Sequence, residues 1–177
     1  ANIVVAHQGT ANDKAGKFEI YVNDGDDADG SLTQAMHIGV GKDPIQRNTA
    51  LGLGALKTGI QTGDGSGNYS NYQTAIGWDA LTADTDGGYA TAVGHQAFYK
   101  LNTGNNSEGT AIGAGALSEN TTGRYNTGLG FNAGVGIVGG QKNIAIGVKC
   151  LSSSDGDDDN IAIGYEALNP NPVLYLP

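Results

Sequence analysis

The apolar positions of this chain come in short bursts separated by polar turns, and the bursts follow two different rules. In the first 44 residues the pattern is that of ordinary strands. Ile3-Val4-Val5-Ala6 is an apolar run of strand length. Lys17-Phe18-Glu19-Ile20 alternates polar and apolar side chains, the period-2 signature of a half-buried strand, and Tyr21-Val22 extends it. Residues 23–30 carry two Asp-Gly pairs and supply turn chemistry. Residues 32–39 then read as the returning strand. Residues 1–44 are therefore expected to form a small antiparallel β module with one prominent hairpin.

From residue 45 to 168 the second rule takes over. An eight-residue unit recurs, clearest at 74–81: Thr74-Ala75-Ile76-Gly77-Trp78-Asp79-Ala80-Leu81. Further copies lie at 49–56, 91–98, 110–117, 144–151 and 161–168, with a degenerate one at 127–134. The fourth position is always glycine: Gly52, Gly77, Gly94, Gly113, Gly130, Gly147 and Gly164, at spacings of 25, 17, 19, 17, 17 and 17 residues. A nearly fixed period of this size is the mark of a stacked solenoid. Each unit is too short for a helix, holds a glycine, and shows no i, i+3, i+4, i+7 pattern. The expectation is all-β: a parallel β-roll or β-solenoid of about seven 17-residue repeats. Stacked at about 4.8 Å per coil, the Ile and Leu of each copy would bury in a continuous column that one copy alone cannot make. Ala at the second position suits a crowded inner face. Glycine at the fourth suits a corner with positive φ or a close approach of two backbones. Residues 169–177 break the array, and Val173, Leu174, Tyr175 and Leu176 form a short apolar run. That run, and Ile3, Val4 and Val5 at the other end, are candidate inter-subunit contacts or caps.

The repeat resembles two groups of proteins. One is the head region of trimeric autotransporter adhesins; the other is bacteriophage tail-fibre proteins with strings of Asn-Thr-Ala-Ile-Gly-x-x-Ala-Leu. The match is carried by Asn48-Thr49-Ala50, Thr74-Ala75-Ile76-Gly77, Thr110-Ala111-Ile112-Gly113, Asn143-Ile144-Ala145-Ile146-Gly147 and Asn160-Ile161-Ala162-Ile163-Gly164. The stretch from Gly16 to Ile38 looks more like tail fibres, where a hairpin of this style precedes the repeats. The resemblance implies a left-handed parallel roll, a homotrimer, an extracellular or virion-surface location, and attachment to a host glycan or other receptor. A self-polymerising filament or adhesin subunit, joined through its terminal strands, is the alternative.

Composition narrows the chemistry. The formal charge is −9, from 18 acidic and 9 basic residues, which argues against nucleic acid or an anionic membrane as partner. No run of 18 apolar residues predicts a membrane-spanning helix. No signal peptide is expected, and a start at Ala1 without Met means a removed leader or a longer polypeptide. Cys150, the one cysteine, takes the slot where other copies carry Ala and is expected to be a small buried residue. No His-Glu-x-x-His, nucleophile elbow or Walker loop is present, and His7, His37 and His95 share no metal spacing. No catalytic residue and no cofactor is therefore expected. The acidic stretches 24–29 and 155–159 are the candidate calcium loops, although neither has EF-hand spacing and solvated turns are the expected role. Trp78, His95, Phe131 and Tyr165 follow the repeat glycine, and Tyr69, Tyr72, Tyr89, Tyr99 and Tyr125 lie in or near the linkers. Such a column of rings could stack on sugars or pack against another subunit.

Overall fold

The computed structural model describes residues 17–22, 33–40, 47–57, 72–84, 88–102, 108–153 and 156–169, with side chains from Asn48 onward. They form one nine-stranded sheet in chain order. β1 (Lys17–Val22) pairs antiparallel with β2 (Thr33–Val40), with a register shift between Ile20 and Tyr21, and β2 pairs antiparallel with β3 (Arg47–Leu51). From β3 onward every pairing is parallel. β4 (Thr74–Ile76), β5 (Thr91–Val93), β6 (Thr110–Ile112), β7 (Thr127–Leu129), β8 (Ile144–Ile146) and β9 (Ile161–Ile163) follow, one strand from each repeat. Equivalent positions pair throughout, so Thr74 faces Thr91, Ala75 faces Ala92 and Ile76 faces Val93. Five stacked coils run from β4 to β9, and together they make a parallel β-solenoid.

Among the described residues, each inner coil is bonded to both neighbours at recurring positions. In the β5 coil, Gly94 N–H donates back to the Ile76 carbonyl at 2.7 Å and Gln96 N–H to that of Trp78 at 2.8 Å. Thr91 N–H donates forward to the Gly109 carbonyl at 2.9 Å and Phe98 N–H to that of Ala116 at 3.0 Å. The same four bonds recur from coil to coil, which is why a repeat of eight residues suffices to specify a turn of 17. The path between them needs left-handed backbone at residues that rarely adopt it. Gln96 has φ of 53° and Phe98 of 49°, and the equivalent Asp79 and Leu81 have 53° and 52°. The four bonds per coil hold them there, and burial adds to this at Leu81 and Phe98.

The repeat glycines meet both conditions the sequence suggests. Gly77 has φ of +130°, and a Cβ on it would stand 2.5 Å from the carbonyl oxygen of Gly94 in the next coil. The glycines therefore form a ladder of touching backbones along one corner. The second-position alanines Ala75, Ala92, Ala111, Ala145 and Ala162 are buried, as are the eighth-position Leu56, Leu81, Phe98, Leu117 and Leu151. The third-position aliphatic side chains are not. With Ala pointing inward in the middle of a three-residue strand, its neighbours on both sides must point out. Ile112, Leu129 and Ile163 are exposed, so the expectation that the repeat Ile lines the interior fails.

Two irregular repeats are repaired by neighbours. Phe98 replaces Leu, and its ring reaches the place where the next coil carries Gly109, whose added Cβ would lie 2.7 Å from Phe98 Cζ. In the degenerate copy Gly134 replaces Leu, and an added Cβ there would meet Leu117 Cδ2 at 2.7 Å and Ile137 Cδ1 at 3.0 Å. Those two side chains fill the missing volume.

The position before the repeat unit is polar in five of the seven copies, the row being interrupted by Ala90 and Gly109. Asn48, Gln73, Asn126 and Asn143 are buried there, with Asn160 at the end of the row. Asn126 Oδ1 accepts from Asn143 N–H at 2.9 Å, and Asn143 Oδ1 from Asn160 N–H at 2.9 Å. Asn120 is different. It stands 19 residues after the buried Leu101 and 17 before the buried Ile137, at their place in the coil, and neither Nδ2 nor Oδ1 has a hydrogen-bond partner. An unmade buried bond costs about 1–3 kcal/mol. Asn120→Leu should therefore raise stability by about 1–2 kcal/mol, read as a higher urea midpoint at unchanged slope. An unchanged or lower midpoint would show that the amide is satisfied.

Candidate functional site

Three columns of side chains leave the solenoid on and beside its strands. The first position supplies Thr49, Thr74, Thr91, Thr110 and Thr127, giving way to Ile144 and Ile161. The third supplies Leu51, Ile76, Val93, Ile112, Leu129, Ile146 and Ile163. The fifth, past the bend at the repeat glycine, supplies Leu53, Trp78, His95, Ala114, Phe131, Val148 and Tyr165. Three columns of seven make 21 residues, and none is Asp, Glu, Lys or Arg, in a chain with 27 such residues among 177. Charge begins one position further on, at Asp79, Lys149 and Glu166. Exposure is greatest at the last coil, where Ile163 is 66% and Tyr165 73% exposed. The result is an uncharged surface running the length of the solenoid, with threonine along most of its first column and, apart from His95, apolar side chains in the third and fifth columns that flank the glycine corner. Six steps of about 4.8 Å make it roughly 29 Å long.

The rings follow the coil pitch. Trp78 and His95, in successive coils, have centroids 4.8 Å apart with planes inclined by 36°. On the far side of the strand, Tyr72 and Tyr89 stack at 4.9 Å and 8°. Stacking covers one face of each of these tyrosines, and both remain about half exposed. Tyr125, two coils beyond Tyr89, bonds the Glu108 side chain, which pushes its phenol above the ordinary tyrosine range, as Glu166 does for Tyr165.

The remaining candidates take structural places. The repeat glycines come together as the corner ladder. Cys150 is buried, its Sγ donating to the Gly147 carbonyl at 3.1 Å, and burial pushes its thiol up from the ordinary value. The neutral thiol is a poor nucleophile. Cys150 should resist a thiol reagent in the native protein and react fully in denaturant; rapid native labelling would contradict this burial. The acidic stretch is wired into the stack at its described residues: Asp158 Oδ1 accepts from Gln141 N–H at 2.7 Å, and the Asp157 carbonyl from Asn143 Nδ2 at 2.8 Å. Among the described residues no three His, Cys, Asp or Glu converge as a metal site, and no helix is long and apolar enough to cross a membrane. Residues 24–29, His7, Tyr69, Asp155 and both candidate terminal contacts, Ile3 to Val5 and Val173 to Leu176, lie outside the described residues. So does the side chain of His37.

What the sequence reading missed is the third-position column, whose signal was present in the buried Ala between two large residues. No protein-family model, curated protein or solved structure matches this chain.

Proposed function

We propose that this chain is a structural, non-enzymatic segment of a surface fibre, most like that of a phage tail fibre or similar appendage, and that it works as a homotrimer at an extracellular or virion surface. One observation carries the reading: the charge-free apolar surface that follows the glycine corner along every repeat. A surface of this kind marks an interaction site. Its period is that of the coil itself, so a second copy of the same chain matches it along its whole length. The acidic residues elsewhere keep such an assembly soluble and disfavour nucleic acid. The role of the segment is then to hold a rigid spacing and to present its outer loops to a host glycan or receptor.

The open end of the stack favours a second reading. β9 is the last strand of the sheet among the described residues, and Ile161, Ile163 and Leu168 beside it are exposed. Such an edge is a template for another chain, as a self-polymerising filament or adhesin subunit would use. Mass by light scattering with negative-stain imaging separates the two. Particles of three subunits support the fibre segment, long filaments of uniform width support polymerisation, and a monomer overturns both.

A further inference from the structure

The bonds that join coil to coil show which groups face outward at the last turn. Ile144 N–H donates forward to the Asn160 carbonyl at 2.8 Å, and Gly164 N–H donates back to the Ile146 carbonyl at 2.7 Å. One coil further on, the same places are held by Ile161 N–H and the Ile163 carbonyl. Their partners would come from beyond β9, which ends the sheet among the described residues. Residues 161 and 163 are two apart in one strand, so Ile163 N–H points the same way as Ile161 N–H. The side chains agree with the backbone. The eighth position is buried at Leu56, Leu81, Phe98 and Leu117, and Leu151 is 2% exposed there, but Leu168 is 58% exposed. Leu168 is thus a core residue at an uncovered end. We infer that residues 173–176 of the same chain, Val-Leu-Tyr-Leu, close this end of the solenoid as a strand paired antiparallel with β9.

Three features favour this occupant, although residues 173–176 lie outside the described ones. First, the four are apolar and uncharged, with a β-branched and an aromatic member that suit a strand. One face of such a strand would lie over Ala162 and Leu168 and the other would meet solvent. Second, the segment is within reach. Only residues 170–172 separate Val173 from Asn169, the last described residue. Four extended steps span up to about 13 Å, more than the roughly 10 Å between packed β walls. A tether this short gives an effective concentration on the order of mM, which sets this segment ahead of a second copy. Third, the spacing fixes the direction. Val173 stands 12 residues after Ile161, fewer than the 17 of the shortest parallel repeat, and an antiparallel partner needs no complete coil. The first end of the stack is closed in that way, since β3 carries antiparallel β2 on its outer side. A solenoid needs a distinct element at each end to stay soluble.

Amide exchange on the full chain tests the closure. Ile161 N–H and Ile163 N–H should be protected in the intact protein, and dilution should not change this. Two double variants then separate a paired strand from a loosely adhering tail. Val173→Asp with Tyr175→Asp alters one face of the segment, and Leu174→Asp with Leu176→Asp alters the other. One pair should speed exchange at both amides by about tenfold or more, and the other should leave it unchanged. Ile144 N–H, bonded inside the stack, should keep its protection in both.

Protection that is independent of dilution and lost in one double variant alone supports the inference. Rapid exchange at Ile161 and Ile163 in the intact chain overturns it. Protection that falls on dilution assigns the edge to a second copy and overturns it too. So does protection that survives both double variants, or that both abolish equally. Open filaments of the intact chain overturn it as well, whereas a mass of three chains or of one, which decides the fibre reading, leaves it standing.

Discussion

Gly94→Ala is expected to cost about 3–5 kcal/mol, a large share of the stability of an ordinary domain. Two effects add. The residue has φ of +136°, where side chains other than glycine's are strained by roughly 1–3 kcal/mol. The new methyl would also stand 2.5 Å from the Gly113 carbonyl oxygen and 2.6 Å from its carbon. Those are backbone atoms bonded into the next coil, so they cannot swing aside, and overpacking of this kind costs a further 1–3 kcal/mol or so. The change should lower the urea midpoint steeply. Gly156→Ala is the matched control. It too has positive φ, +82°, but nothing stands within 4 Å of the added methyl, so it should cost only about 1 kcal/mol. Equal losses at the two sites would mean that backbone strain alone, and not contact between coils, makes the repeat glycine necessary.

Asn143→Leu should cost about 3 kcal/mol, the opposite sign to Asn120→Leu although both amides are fully buried. Asn143 sits in the middle of the polar column. Its Oδ1 accepts from Asn160 N–H at 2.9 Å and from Asn160 Nδ2 at 3.1 Å. Its Nδ2 donates to Asn126 Oδ1 at 3.2 Å and to the Asp157 carbonyl at 2.8 Å. A leucine of similar volume keeps the packing and removes all four bonds, leaving partners in two neighbouring coils unmet. Amide exchange offers a local reading: Asn160 N–H should lose protection while Gly94 N–H, four coils away, keeps it. Uniform loss at both would mean that the solenoid unfolds as one unit and that the column is not a local clamp.

The contrast between the two asparagines shows where sequence reading stops. Asn143 precedes a repeat unit, as Asn126 and Asn160 do, and can be placed in a column by its spacing. Asn120 can be placed equally well, opposite Leu101 and Ile137. Whether a buried amide finds partners depends on which carbonyls the return loops turn inward, and those loops share no common sequence. The left-handed leucines are a second case. Leu81 and Leu117 look like ordinary core residues, and nothing in their type announces φ of 52° or 50°. That backbone is imposed by the need to bond the coil before and the coil after within eight residues. The repair of Phe98 by Gly109 is a third, since a large residue in one coil and a small one in the next are linked only through the stack.

By itself the sequence determined the architecture: the period of the glycines, the small second residue and the short β-competent unit permit a stacked parallel coil and exclude a helix, because each is a local requirement repeated seven times. It also pointed to glycine at the fourth position for a positive φ or a close approach; the structure shows both at six of the seven glycines and positive φ alone at Gly164. Only the tertiary structure decided which apolar residues are core and which are surface. Ile and Leu are alike as sequence symbols, yet the three-residue strand sends the third-position aliphatic side chain outward while the turn after the corner sends the eighth inward. That sorting, made by the path of the backbone between coils, created the apolar corner on which the proposed assembly depends.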